Sequence, residues 1–218
     1  MGWGLLFFVL LGVALGAFVL QATYAAQAWR TAIAAGDLDV LRQAVGNAME
    51  AWRRQKPPRT MAPADWQALS SAATIAMDQQ RCRVSMVATS DIRVINNERR
   101  EMGRPIDVAR RVAVKMVERA LYEIPHVRFD EVQVDVYAAH LMPDGSTATE
   151  CILVVRANRE DAANAPWDTA EDPEILEGWR TREAAPGEPL DPEFDALIAP
   201  DAQAAVAAAE ETLRRASR

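Results

Sequence analysis

The side chains that could do chemistry in this chain are few and scattered. It has two histidines, His126 and His140, and two cysteines, Cys82 and Cys151. A zinc-like site would need the histidines to converge with Asp130, Glu131 or Asp135, since such ions take about four donors. Their default readings are plainer: His126 lies beside a helix-ending proline, and His140 sits at the rim of a hairpin. The cysteines have no metal-like spacing, and two of them do not make a disulfide framework. In a cytoplasmic domain they are expected to be reduced and buried as small apolar groups; in an exported domain they could pair with each other. The neighbouring carboxylates Asp130/Glu131 and Glu171/Asp172 read as solvated charge, because acid–base work needs burial to tune a carboxyl.

No phosphate-cradling glycine loop, Gly-x-Ser-x-Gly elbow, His-Glu-x-x-His or Cys-x-x-Cys occurs. The sequence therefore predicts no catalytic residue, no cofactor and no metal, and the chain reads as a non-enzyme. Its densest basic stretch is Arg93, Arg99, Arg100, Arg104, Arg110 and Arg111. Aromatics are not interleaved there, and Glu98 and Glu101 dilute the charge, so nucleic acid is not an expected partner. Attraction to anionic lipid headgroups, or to the chain's own acidic tail, is a simpler use.

Whatever these residues do is positioned by the apolar stretch at residues 4–22, GLLFFVLLGVALGAFVLQA, which contains no charge. At 1.5 Å per residue it makes a helix about 28 Å long, close to the roughly 30 Å bilayer core. Trp3 and Tyr24 bracket it as interfacial aromatics would, with Arg30 just beyond. A retained transmembrane anchor is favoured over a cleaved leader, because residues 1–4 carry no Lys or Arg. Basic residues follow the stretch (Arg30, Arg42, then Arg53, Arg54, Lys56 and Arg59) and none precede it, which places the later chain in the cytoplasm. Gly12 and Gly16, four apart on one face, form a small-xxx-small pair that suits close helix packing.

The net charge of −7 is unevenly spread: residues 24–110 carry +4, residues 111–158 carry −2, and residues 159–218 carry −9. The periodicity divides the chain into an anchor (1–24), a helical segment (25–80), a β-α-β-β domain (81–158), an acidic Pro-rich extended tail (159–200) and a closing helix (201–218). The anchor helix should continue to Gly36, where Asp37 caps an amphipathic helix running to about residue 55. A third helix is expected over residues 63–80. Alternation over residues 81–95 predicts one half-buried strand that ends at Asn96-Asn97, with Arg83 on its outer face. A helix over residues 104–123 is stopped by Ile124-Pro125.

Two further strands, 132–138 and 147–158, flank a turn at residues 142–146. Gln133, Asp135 and Tyr137 are expected to face outward, and Thr149, Cys151, Leu153 and Val155 to share one face. Ile152 and Val154 make the other face apolar too, which implies that something covers it. The fold class is therefore α+β. In the acidic tail, Trp167, Trp179 and Phe194 are candidate anchors for a partner, or for the domain's own basic patches.

This element order over roughly residues 105–158, with Ile124-Pro125-His126-Val127, resembles small membrane-associated modules such as the BON and ring-building domains of bacterial envelope complexes. The likeness is one of order and assigns no family. The functional expectation is a single-pass accessory, assembly or scaffolding subunit of a larger membrane complex. Its partners would be other membrane subunits, the lipid bilayer and, as a homo-oligomer, further copies of itself. The alternative is an exported envelope domain that self-assembles through the β-α-β-β unit.

Overall fold

The computed structural model describes residues 2–141, 147–167, 172–185 and 188–200. Its first element is one long helix, α1, Gly2–Ala34. It ends where Gly36 takes φ +86° and the amide of Asp37 reaches back to the carbonyl of Ala32. That closure leaves a glycine in the left-handed region, where a Cβ would be strained. The Asp37 carboxylate then accepts the amides of Asp39 and Val40 at 3.0 and 3.1 Å, capping α2, Leu38–Arg54. Helix α2 turns Leu41, Val45, Ala48, Met49 and Trp52 into the core at helical spacing.

Among the described residues, no helix is long and apolar enough to cross a membrane. Within α1 the side chains of residues 2–6, 9, 22, 25 and 26 lie outside the description. The transmembrane helix expected from the sequence is thus not an observed span. What is observed is a continuous helix whose described side chains from Phe7 to Tyr24 are all exposed, on every face.

The helix expected over residues 63–80 stops early, as α3, Pro63–Ser70. Ser71 turns the chain: its hydroxyl donates to the Ala68 carbonyl and accepts the Val87 amide, at 2.6 and 2.9 Å. Residues Ala73–Met77 then form strand β1, paired antiparallel with β2, Arg81–Ala88, from Ala73↔Ser85 to Met77↔Cys82. A ladder of backbone bonds, with β-branched Thr74 and Ile75, outweighs the weak helical stripe. The single strand expected over residues 81–95 is also two. β3, Asp91–Ile95, leaves the main sheet and pairs with β4, Glu98–Gly103. Asn96 and Asn97, both at positive φ, are the tip of this hairpin rather than the end of a strand.

Helix α4, Pro105–Glu118, follows and continues as a π-helical turn over Arg119–Glu123. Asp107 accepts the Arg104 amide at 3.1 Å, half of a capping box. Then come β5, Glu131–Leu141, and β6, Thr147–Asn158. β5 lies parallel to β2 and antiparallel to β6, so α4 is the crossover of a β-α-β-β unit. The later chain adds α5, Arg159–Asn164, α6, Asp172–Glu177, and β7, Arg180–Glu183, which pairs with β6. The main sheet is mixed, in the order β1-β2-β5-β6-β7.

One face of this sheet presents Val84, Met86, Val134, Val136, Leu153 and Val155 to Val108, Val112, Met116 and Val117 of α4, all buried. Each such side chain is worth about 1.5–3 kcal/mol on burial. α2 and α3 join the same core, so the segment at residues 25–80 is not separate from the sheet. A bulge between Val136 and Tyr137 shifts the register, so Cys151 pairs with Tyr137 while Leu153 pairs with Val136. Opposed residues share a face, so Cys151 lies on the face opposite Leu153, contrary to strict alternation. The described parts of residues 159–200 are not the extended tail expected: they form α5, α6 and β7, and residues 190–198 lie across the sheet. The helix expected over residues 201–218 and the turn at residues 142–146 lie outside the described residues.

Candidate functional site

Four places on the molecule gather polar or apolar groups that need explaining. The first is the sheet face away from α4. Arg83 on β2 and Gln133 and Asp135 on β5, expected to meet water, are buried; Arg83 is 1% exposed and Asp135 0%. The parallel pairing sets Arg83 opposite Gln133, one pleat from Asp135. Arg83 Nε donates to Asp135 Oδ2 at 2.7 Å. Its two terminal nitrogens donate to both carboxylate oxygens of Glu193, at 2.9 and 2.7 Å, and to the carbonyls of Ile198 and Pro192. Gln133 closes the knot, donating to Asp135 at 2.7 Å and accepting the Leu197 amide at 2.7 Å.

Every guanidinium donor is thus used, and residues 190–198 form a strap across the face that also buries Val154 and Leu197. Of Ile152 and Val154, read as needing a cover, Val154 is buried by this chain itself, while Ile152 is half-buried and packs against the main core. Burial alone would lower the Arg83 pKa, but the Glu193 hydrogen bonds and the nearby Asp135 carboxylate outweigh it and hold the group charged. Burial pushes the Asp135 carboxyl above its ordinary value, and Gln133 and Arg83 offset only part of that.

The second place is the aromatic pair in the folded-back segment. Trp167 and Trp179 stack with ring centroids 5.6 Å apart. Trp179 is buried in the core, while Trp167 packs on its edge and donates from Nε1 to the Ala162 carbonyl at 2.8 Å. These two rings are engaged by their own domain. Phe194 alone stays exposed, with the Arg182 guanidinium over its ring at 5.4 Å.

The third is the β3–β4 hairpin. Its pairing puts Ile92 and Val94 on one face with Glu101 and Arg99, and both apolar residues are exposed, as is Met102. A two-stranded ribbon is marginal alone, so these uncovered side chains are unusual. The basic run that includes the hairpin is largely neutralised. Arg93 holds Asp91, Arg100 holds Glu98, Arg104 holds Asp107, Arg110 holds Glu183, and Arg111 holds Asp65. Pairing on this scale leaves little free positive charge for a phosphate backbone.

The fourth is the junction of α1 with the domain. Trp29 and Ile33 pack against the core, and Arg30 Nε donates to His126 Nδ1 at 3.1 Å. Tyr24 is exposed, and the side chains of Trp3 and His140 lie outside those described. A Cβ built on Gly12 or Gly16 would meet nothing within 4 Å among the described residues.

Among the described residues, no group of three His, Cys, Asp or Glu side chains could hold a metal. Cys82 and Cys151 are free and buried, and burial pushes both thiols up to about 12. Strand β5 separates β2 from β6, so about 9–10 Å lies between the cysteine-bearing strands, beyond disulfide reach. A cleft of about 430 Å³ between α4, α6 and β7 is lined by Arg110, Trp179 and Glu183, with Arg110 and Glu183 bonded to each other. No protein family model, curated protein or solved structure matches the chain.

Proposed function

We propose that this chain is a non-enzymatic single-pass membrane protein. In this reading its α+β domain, on the cytoplasmic side, serves as an accessory, assembly or scaffolding subunit of a larger membrane complex. The observation that carries it is the continuity of α1. The helix leaves its apolar stretch and enters the core without a linker, while Phe7, Phe8, Leu10, Val13, Phe18 and Val19 point outward all round it. Such a surface needs lipid or other helices to cover it. The basic residues that follow the stretch favour the cytoplasmic side.

The surface offered to a partner is the β3–β4 hairpin. It joins the N-terminal end of α4, whereas α1 docks beside His126 beyond the other end, roughly 25 Å away along the helix. A domain held by α1 would therefore present the hairpin away from the bilayer. Both faces of the main sheet are occupied, one by α4 and one by the strap. That favours an accessory role over self-assembly through the sheet.

The test is extraction of the native protein in mild detergent, followed by sizing and mass spectrometry, for the wild type and an Ile92→Lys/Val94→Lys variant. The expected result is alkali-resistant membrane association for both, and a defined complex that only the wild type forms. A monodisperse monomer from the wild type would overturn the subunit reading, and release by alkali would overturn the anchor.

A further inference from the structure

A cleft of about 420 Å³ opens between α1, α2 and the loop after α4. Trp29 of α1 and Trp52 of α2 line it, together with Ala44, Ala48 and Ala51, which recur on α2 at i, i+4 and i+7. Alanine at these turns leaves a groove along α2 where larger side chains would close the packing. The polar lining includes the amides of Asn47 and Gln55, and among the described residues its charged member is one carboxylate, Glu123. Glu123 lies 3.8 Å from Arg119, too far for a hydrogen bond, so its oxygens can accept from another donor.

The strap leads towards this cleft. It begins level with Cys151, where the Leu190 amide bonds, and descends to the starts of β2 and β5. There the Leu197 amide meets Gln133 and the Leu197 carbonyl accepts Arg81 Nη1 at 3.1 Å. The neighbouring Gln80 carbonyl accepts the Asp130 amide at 2.6 Å, and Asp130 closes the loop that carries His126 of the cleft. This bonded path from Leu197 to His126 is at most about 40 Å, and the straight line is shorter. Residues 198–213 span about 30 Å with only 198–201 extended, and about 55 Å when fully extended.

The sequence beyond the strap suits the groove. Ala202, Val206, Ala209, Leu213 and Ala216 recur at helical spacing, a narrow apolar face made mostly of alanine. All basic side chains of residues 201–218 fall at its end, as Arg214, Arg215 and Arg218. A segment tethered this closely works at an effective concentration on the order of 1 mM, so modest contacts suffice to seat it.

We propose that residues 201–218 of this chain dock in the cleft as a helix, with Val206, Ala209 and Leu213 between the two tryptophans and the basic end beside Glu123. This is helix-in-groove recognition within one molecule. It clasps α1 to α2 and the loop after α4, and it stands whether or not α1 lies in a membrane.

The test uses the full chain in mild detergent. Cys82 and Cys151 are buried, with thiols pushed up to about 12, so cysteines introduced at exposed positions react in their place. Ala51→Cys, at an exposed position on the cleft wall, is combined with Leu213→Cys or with Glu211→Cys on the opposite side of the expected helix. Disulfide formation under a mild oxidant is then followed by peptide mass mapping. A link within one molecule is expected for Leu213→Cys, forming about tenfold faster than for Glu211→Cys, because a docked helix turns only one face to α2. Adding Glu123→Gln should slow that link by up to about fivefold. In the native chain, amide exchange over residues 201–218 should be slowed, and Val206→Lys/Leu213→Lys should release it while exchange in α4 and β5 stays unchanged.

Equal rates for the two cysteine pairs, or unprotected amides over residues 201–218 in the native chain, would overturn the docking. A Leu213→Cys link that joins two molecules would give the cleft to a second copy and overturn the assignment within one chain.

Discussion

Replacing Arg83 by Met is the sharpest test of how the strap is held. In the native fold Arg83 satisfies Asp135, Glu193 and two carbonyls at once. The Met variant leaves the Asp135 carboxylate, 0% exposed, with Gln133 as its remaining side-chain partner. Removing one member of a buried pair costs about 3–5 kcal/mol, against about 0–1 kcal/mol for an exposed pair. Domain stabilities run to about 5–15 kcal/mol, so the loss should be plain in urea midpoints. The purified full chain in mild detergent, followed by the fluorescence of the Trp167–Trp179 pair, supplies the signal.

Two controls give the prediction its direction. Glu193 is 47% exposed, so Glu193→Gln should cost only about 1 kcal/mol. Arg83→Met/Asp135→Leu, which removes both charges, should recover most of the loss. The cost of Arg83→Met should also shrink in acid, where Asp135 can take up a proton. An Arg83→Met variant within about 1 kcal/mol of the wild type, or a double variant no better than the single, would refute the account of the knot as a buried ion pair.

Asp135 gives a pH signature of its own. Its folded-state pKa lies above its ordinary 3.8 because of burial, so its contribution favours the fold below that value and is lost as pH rises through the raised one. Asp135→Asn should therefore flatten the stability curve just above pH 3.8 relative to the wild type, read from urea midpoints across that range. Asp107 acts the other way: the Arg104 hydrogen bond holds its carboxyl low, so its stabilisation is present above the ordinary value and lost on acidification. Asp107→Ala should cost about 0.5–1 kcal/mol at neutral pH and show less of that acid-dependent loss. Gly36→Ala should cost about 1–2 kcal/mol, because φ +86° is unfavourable for an L side chain. Both thiols, held up to about 12, should resist a thiol reagent near pH 8 until urea unfolds the chain; rapid native labelling would contradict their burial.

The sequence by itself determined those features that repeat along the chain with a fixed period. These are the long apolar helix, the Gly36–Asp37 break, the amphipathic α2, the α4 crossover and the β5–β6 pair. Each rests on local spacing, on a cap or on a breaker, and needs no distant partner. Alternation also found an apolar residue on the second face at Val154, but could not name its cover, and it missed that Ile152 packs against the main core. The misreadings came where a long-range contact overrides a local preference. β1 exists because β2 offers it a ladder, and Asn96-Asn97 is a hairpin tip because β4 returns upon β3.

Arg83 and Asp135 looked solvated because alternation assigns faces without saying what lies upon them. Only the tertiary structure brings Glu193 and Leu197, more than a hundred residues from Arg83, across that sheet. Composition made the acidic segment look unable to pack on itself. In the fold it packs on the rest of the chain, where a buried arginine and an apolar strand face give its carboxylate and its leucine a place that no local rule could supply.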